Sequence, residues 1–245
     1  MILAVSGKGG VGKTTIAAVA ARALARDGSR RSLIVDADPA GGLAMALGMK
    51  PGRTLNDVRK ELIHEVKEGA RDERDLAVSI DYLLAEALTE RGNLALLSIG
   101  RPEDAGCYCK VNVILKDAIK GLAVRFDETV VDAEAGIEQV NRKVLGSVDY
   151  VLLVADTSMK AVRTAETISA VGATMAPGAR FGLLVNRVTD EGQVEQVRAA
   201  TDLEVVGWVP EDPTIRRFDE EELSFLDLPD CPASGAINAA LAAIL

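Results

Sequence analysis

The sequence predicts an α/β fold in which a doubly wound, mostly parallel sheet is flanked by helices. Short apolar runs recur along the chain, and most are continuous rather than alternating, as in strands that are buried on both faces. Stretches with helical periodicity separate these runs, which is typical of right-handed strand–helix–strand crossovers. A glycine-rich turn joins the first run to the first helical stretch. We expect ligands to bind there, at the carboxyl ends of the strands.

The apolar runs predict strands at Leu3–Ser6, Ser32–Val35, Leu94–Ile99, Thr129–Val131, Tyr150–Val154, Phe181–Val185 and Val205–Val209. Helices are predicted at Ile16–Ala25, Val113–Leu122, Glu138–Leu145, Ala161–Val171 and Gln193–Ala200. Three weaker patterns predict an edge strand at Leu76–Tyr82, charged and solvated helices over residues 55–75, and a docking helix at Ala236–Leu245. No internal repeat or linker interrupts the chain, so residues 1–245 are expected to form one domain.

The composition excludes several classes of protein. The 245 residues carry 28 Lys and Arg against 37 Asp and Glu, a net charge of −9. So acidic a chain is poorly suited to bind nucleic acid through clustered Lys and Arg. No apolar run approaches the roughly 20 residues of a membrane span. The three cysteines make no disulfide framework, and the first strand begins too early for a signal peptide. We therefore expect a cytoplasmic protein with no nucleic-acid partner and no membrane attachment.

The glycine-rich turn has the residues of a phosphate-binding loop. Residues 7–15 read GKGGVGKTT between a predicted strand and a predicted helix, which is the context that a P-loop needs. Backbone amides of such a loop and the helix N-terminus bind polyphosphate, Lys13 would reach the β- and γ-phosphates, and Thr14 would hold Mg²⁺. The alternative is a glycine-rich turn without a ligand. We assign the triphosphate to Gly9, Gly10, Val11, Gly12, Lys13, Thr14 and Thr15.

A second lysine, Lys8, follows the first glycine of this loop. With GKGGVGKTT intact, the sequence resembles the deviant Walker A ATPases, which include partition and septum-site ATPases, nitrogenase iron protein, the arsenite-pump ATPase and metallocluster-maturation ATPases. The resemblance implies an ATP-promoted homodimer in which Lys8 reaches the phosphates bound by the partner. A lysine that is merely solvated is the alternative.

Acidic residues follow two of the predicted strands. Asp36 and Asp38 lie in an Asp-Ala-Asp-Pro segment that is typical of a turn. The resemblance implies that it is a switch, in which Asp38 activates the attacking water and Asp36 supports the magnesium shell or the loop. Asp132 ends an apolar strand, as a Walker B carboxylate does when it reaches the metal. The backbone amide at Gly136 could then contact the γ-phosphate and sense hydrolysis.

The base is expected to bind beyond the last two strands. Asn186 and Arg187 end the sixth predicted strand, and an Asn amide can pair with a donor and an acceptor on adenine. The Asp of a guanine-specific NKxD motif is absent from residues 186–189, which favours ATP over GTP. Residues 208–212, with Pro210 and Asp212, would complete the adenine pocket.

A cysteine pair sets this chain apart from generic P-loop proteins. Cys107 and Cys109 would point to the same side of an extended segment. A twofold dimer could then supply four thiolates to one soft metal ion. Core packing and a strained redox pair are the alternatives. Cys231 has no partner by spacing and is expected to be structural, and His64 is expected to be solvated.

Residues 100–112 (GRPEDAGCYCKVN) and 132–139 (DAEAGIEQ) make the sequence similar to the carbon monoxide dehydrogenase maturation ATPases of the CooC type. The resemblance implies that Cys107 and Cys109 bind Zn²⁺ or Ni²⁺ across the dimer, and that the client is carbon monoxide dehydrogenase or a related metalloenzyme. One alternative is a partition- or septum-type regulatory switch without a metal role. Another is an Fe–S reductase like nitrogenase iron protein, which the absence of cysteine from DAEAGIEQ disfavours.

Overall fold

The computed structural model describes residues 1–67, 73–101, 117–133 and 148–244, and it describes side chains there except at 66–67 and 73–78. Several predicted features lie outside the described residues. These are the cysteine pair, Gly136, the helix predicted at Glu138–Leu145 and the first part of the helix predicted at Val113–Leu122. Of the latter, residues 117–123 are described and are helical.

Within the described residues, eight strands form one sheet. They are β1 (Ile2–Gly7), β2 (Ser32–Asp36), β3 (Leu88–Arg91), β4 (Leu94–Ser98), β5 (Glu128–Asp132), β6 (Tyr150–Ala155), β7 (Arg180–Val188) and β8 (Val205–Pro210). Their spatial order is β3-β4-β2-β5-β1-β6-β7-β8. Every neighbouring pair is parallel except β3 and β4. The predicted fold class and its seven parallel strands are confirmed.

The central strands are apolar because both faces of the sheet are covered. Helices are α1 (Lys13–Asp27), α2 (Gly42–Ala46), α3 (Leu55–Lys67), α4 (Glu73–Ala87), α5 (Met159–Met175), α6 (Glu191–Ala200), α7 (Pro213–Glu220) and α8 (Pro232–Ala242), with a short 3₁₀ turn at Phe225–Asp227. Helix α8 packs against β8 and α1, which confirms the predicted docking helix. Within the described residues, no helix combines the length and apolar character needed to cross a membrane.

The edge strand predicted at Leu76–Tyr82 is wrong, because these residues lie inside α4. Ile80, Leu83, Leu84 and Ala87 are buried, and their spacing places them on one helical face. The edge of the sheet is instead β3, an antiparallel strand that directly follows this helix. No apolar run predicts β3, since its four residues end in Glu90 and Arg91.

The charged stretch at residues 55–75 contains the predicted helix, although that helix is not solvated all round. Leu55, Val58 and Leu62 of α3 are buried at helical spacing and face the core. The charged residues of α3 occupy its other faces, so the helix is amphipathic.

A buried arginine ties α1 to the C-terminal part of the chain. The Arg22 side chain is buried; its Nε donates to the Leu228 carbonyl at 2.7 Å and its Nη2 to Asp230 at 2.7 Å. Buried charge is tolerated only when it is paired. This pairing sets the position of α1, and hence of the loop that precedes it.

Candidate nucleotide-binding site

The loop between β1 and α1 has the backbone of a phosphate cradle. Gly10 and Gly12 have φ angles of 81° and 95°, which residues with a Cβ rarely adopt. Gly12 is the N-cap of α1 and provides no side-chain hydrogen bond to the first turn. The amides at the start of α1 are therefore left for an anion, which the helix dipole also favours.

The two lysines of the loop lie close together. Lys13 is only 8% exposed, and its Nζ donates to the carbonyl oxygen of Lys8 at 3.3 Å. The Lys13 side chain therefore folds back towards the start of the loop, where its ammonium group contacts Lys8. Lys8 itself is half-buried, and no hydrogen bond or ion pair engages its ammonium group among the described residues.

Thr14 and Asp132 meet beside the loop. The Thr14 hydroxyl donates to Oδ2 of Asp132 at 2.6 Å, and Asp132 is 1% exposed. Asp36 ends the neighbouring strand and pairs in register with Asp132, so two buried carboxylates lie side by side at this edge of the sheet. A hydroxyl and two carboxylates are the hard oxygen ligands that Mg²⁺ prefers. The donor set fits a magnesium ion held by Thr14 and Asp132.

Asp36 links the sheet to the segment that follows it. Its Oδ2 accepts a hydrogen bond from the Ala44 amide at 2.9 Å, and its Oδ1 accepts one from the Asp38 amide at 3.2 Å. Burial raises the pKa of Asp36 to about 6, with a smaller contribution from the charge of Asp132, although the two amide donors oppose this. Asp36 therefore positions the Asp38 segment.

Asp38 occupies a turn at the start of α2. Its Oδ1 accepts from the Ala40 amide at 2.7 Å, and its carbonyl accepts from the Gly41 amide at 3.0 Å. The turn favoured by the Asp-Ala-Asp-Pro sequence is present, and the Asp38 side chain is half-buried. Its action on water stays a prediction.

We expect the stability of the chelator-treated, nucleotide-free protein to depend on pH through Asp36. A carboxyl whose pKa is raised on folding stabilises the folded state below the unfolded pKa of 3.8, and that contribution is lost as pH rises through about 6. The free energy of unfolding of the wild type should therefore fall relative to Asp36→Asn by about 2 kcal/mol between pH 4 and pH 7. Urea denaturation at several pH values measures this. Asp38→Asn is the matched control for loss of a nearby charge, and a pH-independent difference would contradict the raised pKa.

A cavity of about 350 Å³ adjoins the loop, which is within the range of small-molecule sites. It lies between the start of α1, the ends of β7 and β8, and α7. The predicted base-binding residues Asn186, Arg187, Pro210 and Asp212 all line it, so the structure brings them together. Gly12 and Thr15 line the same cavity, which joins it to the phosphate loop.

Two of these residues make contacts that the sequence does not predict. Nδ2 of Asn186 donates to the carbonyl oxygen of Val11 at 2.8 Å, which occupies one of its amide hydrogens. Asp212 accepts from the Thr214 amide at 2.8 Å and from the Ala233 amide at 3.1 Å, one on each carboxylate oxygen. Burial raises the pKa of Asp212, but these amides and the Cys231 thiol hold that pKa below its ordinary value. The Asp212 carboxylate thus joins α7 to α8.

Further residues of the cavity wall were missed. They are Ile16, Ile215, Arg216, Asp219, Glu220, Ala233 and Ile237. The Arg216 guanidinium pairs with Glu211. An Asp-Pro step at residues 212–213, with aspartate as N-cap and proline at the first helical position, is a helix-start signal that could have located α7.

The predicted metal site at Cys107 and Cys109 lies outside the described residues. In the part of the chain that the structure does describe, no three His, Cys, Asp or Glu side chains are grouped to hold a metal. The position of β4, the strand that precedes the cysteine pair along the chain, is relevant to this prediction. Ser98 at the end of β4 pairs in register with Asp36, so the chain that continues towards Cys107 leaves the sheet at the phosphate-loop edge.

Comparisons with known proteins agree with this geometry. Residues 2–225 match the family model described as the CobQ/CobB/MinD/ParA nucleotide binding domain. An uncharacterized ATP-binding protein of Methanocaldococcus jannaschii is 33% identical over 94% of this chain and 92% of its own length. The carbon monoxide dehydrogenase accessory protein CooC of Rhodospirillum rubrum is 28% identical over 94% of this chain and 92% of its own. A ParA family ATPase from Chlorobium tepidum has the same fold, with a TM-score of 0.73, 23% identity and 98% coverage of both chains.

Proposed function

The chain belongs to the CobQ/CobB/MinD/ParA nucleotide-binding family, and from this we propose that it is a MgATP-dependent, dimerising ATPase that assists the maturation of a metalloenzyme. One observation carries the nucleotide part of the proposal. Lys13, the Thr14–Asp132 pair and an uncapped helix N-terminus converge on one loop, beside a cavity of suitable size for a base. The name of the methanogen relative, an ATP-binding protein, supports ATP as the ligand.

Each residue at the loop has a separate task in the proposed hydrolysis. Lys13 binds the β- and γ-phosphates, and the loop amides bind the remaining phosphate oxygens. Thr14 and Asp132 hold Mg²⁺, which neutralises charge on the transferred phosphoryl group. Asp38 orients the attacking water, and Asp36 keeps the Asp38 segment in place through the Asp38 amide.

The proposed dimerisation depends on Lys8. Its backbone carbonyl is bonded by Lys13, while its ammonium group has no partner among the described residues. A half-buried ammonium beside a phosphate site is suited to a second triphosphate, as an arginine finger is. We assign Lys8 to the phosphates of the partner protomer.

We expect Asp38→Ala to trap the ATP-bound dimer. The loop, Lys13 and the magnesium ligands remain in this variant, but water is no longer oriented for in-line attack. Light scattering in excess MgATP should report a persistent dimer, whereas the wild type should return to its starting state as ATP is consumed. Asp202→Ala, which changes an exposed carboxylate between α6 and β8, is the control and should behave as wild type. A monomeric Asp38→Ala protein would contradict the assignment.

The metal part of the proposal comes from the Cys-x-Cys pair. We infer that Cys107 and Cys109 of both protomers hold one Zn²⁺ or Ni²⁺, and that the client is carbon monoxide dehydrogenase or a related nickel enzyme. Two features support it: β4, the strand that precedes the cysteine pair along the chain, ends beside Asp36 of β2, and a relative covered along most of its length is a carbon monoxide dehydrogenase accessory protein. Opening and closing of the dimer would then control access to the metal.

A regulatory switch of the partition or septum type is the second candidate. The fold likeness to a ParA family ATPase favours it. So does a groove of about 620 Å³ that is partly lined by the Asp38 turn, with Pro39, Met45, Met49 and Arg101 in its wall. In this alternative the nucleotide state changes a protein-binding surface and no metal is bound. The metal content of the ATP-bound dimer distinguishes the two.

A further inference from the structure

The end of β7 is irregular where it passes the phosphate loop. Its parallel pairing with β8 shifts register between Val185 and Val188, so Asn186 and Arg187 lie in the interruption. Arg187 has a φ of 58°, a left-handed conformation that is uncommon for a residue with a long side chain. Such irregularities re-aim side chains and cluster at functional sites.

Both side chains are aimed at the phosphate loop. Asn186 is 7% exposed and donates from Nδ2 to the Val11 carbonyl at 2.8 Å. Arg187 donates from Nη1 to the Gly10 carbonyl at 3.1 Å. Two adjacent residues of β7 therefore engage two successive carbonyls of the loop.

These contacts determine where the loop amides point. A peptide unit is planar and trans, so its N–H points away from its C=O. With the Gly10 and Val11 carbonyls turned to β7, the amides of Val11 and Gly12 point to the opposite side. Amides on that side are the groups with which a phosphate-binding loop holds its anion.

Gly12 completes the arrangement. A Cβ built on Gly12 would lie 2.5 Å from Nδ2 of Asn186, closer than real contacts allow. The absence of a side chain at Gly12 thus admits the Asn186 amide, in addition to permitting the φ of 95°.

We propose that Asn186 and Arg187 are positioning residues for the phosphate-binding loop, and that they orient the amides of Val11 and Gly12 before the triphosphate binds. This rests on the proposed nucleotide-binding function but goes beyond it, because the sequence alone assigns both residues to adenine and gives them no role at the phosphates. Their main effect is exerted on the phosphates and is independent of the base.

A polyphosphate that has no base distinguishes positioning of the phosphate loop from recognition of adenine. We would measure binding of MgATP and of magnesium tripolyphosphate, each by displacement of a fluorescent ADP analogue, to the wild type, Asn186→Ala and Arg187→Gly. Each variant loses one hydrogen bond to the loop, so both ligands should bind about fivefold more weakly, by the same factor. The ratio of the two affinities should stay at its wild-type value.

Arg187→Lys is the matched control, and the unfolding temperature of Arg187→Gly distinguishes a positioning role from a merely structural one. Glycine adopts the φ of 58° without strain, so Arg187→Gly should unfold at the wild-type temperature or higher while binding more weakly. Lysine keeps a cationic donor for the Gly10 carbonyl, and Arg187→Lys should bind both ligands within about twofold of wild type. A merely structural role would instead lower the unfolding temperature and leave affinity unchanged.

Three outcomes would overturn the inference. A variant that loses affinity for MgATP but not for tripolyphosphate would return its residue to base recognition. Unchanged affinity for both ligands would show that the contacts do not position the loop, and failure of wild-type protein to bind millimolar tripolyphosphate would show that the loop amides are not preorganised. If the wild type bound no MgATP at all, the proposed function itself would fail.

Discussion

Lys13→Ala should abolish nucleotide binding, whereas Lys8→Ala should bind MgATP nearly as the wild type does and lose about 10³-fold or more in turnover. Lys13 is buried in its own phosphate loop, where it bonds the Lys8 carbonyl. The side chain of Lys8 acts on the partner's triphosphate, so its removal leaves the local cradle intact. Calorimetric titration with MgATP measures the first effect, and phosphate release at saturating MgATP measures the second.

Both lysine variants need a control for the loss of a positive charge. Lys120 is an exposed lysine in the helical residues 117–123, ahead of the amino end of β5 and away from the carboxyl edge of the sheet. Lys120→Ala should bind and hydrolyse as the wild type does. If Lys8→Ala and Lys13→Ala lost affinity for MgATP equally, Lys8 would belong to its own protomer's site.

Cys107→Ser and Cys109→Ser should each erase tight binding of Zn²⁺ and Ni²⁺ and leave MgATP binding unchanged. The reason is that a four-thiolate site shared by two protomers loses two ligands with each substitution, while the phosphate loop is a separate site. Thiolate ligands must be deprotonated, so the metal affinity of the wild type should also fall as pH falls. Competition against a chromophoric chelator measures both effects.

Cys231→Ser is the matched control for these variants. Cys231 is the N-cap of α8 and its thiol bonds Asp212, so it lies in the framework of the base cavity. Its substitution should leave metal affinity unchanged. Equal metal binding by the Cys107→Ser, Cys109→Ser and wild-type proteins would remove the metal from the proposed function and favour the regulatory switch.

Features carried by local sequence were predicted well. The phosphate loop is contiguous, and its glycines, Lys13 and Thr14 lie where a strand–loop–helix unit places them. Asp36 and Asp132 were also found, because parallel strands end at one edge of a sheet and both residues terminate apolar runs. Short-range pattern and strand direction together were sufficient to place these residues, and their roles in binding stay predictions.

Contacts between distant segments were not predictable in the same way. Asn186 was assigned to the base, a role that stays a prediction. Its hydrogen bond to the Val11 carbonyl joins residues far apart along the chain and depends on how the irregular end of β7 passes the phosphate loop. Asp212 was similarly given to the base, yet its carboxylate bonds the amides of Thr214 and Ala233. The choice among partners for a polar side chain depends on tertiary geometry, which residue type does not reveal.

The pattern at residues 76–82 failed for another reason. A run such as Leu76–Tyr82 contains apolar residues that suit either a strand or one face of a helix, and a short window does not separate the two periods. The longer window of α4, with Ile80, Leu83, Leu84 and Ala87 buried on one face, favours the helix.

The mass of the complex formed in MgATP tests the central claim most directly. Native mass spectrometry of the wild-type protein with MgATP and one equivalent of Zn²⁺ or Ni²⁺ should give a species of two chains, two nucleotides and one thiolate-bound metal ion, and Asp38→Ala should accumulate it. A single chain with one nucleotide, or one tightly held metal ion on each chain, would contradict the shared site and the ATP-driven dimer.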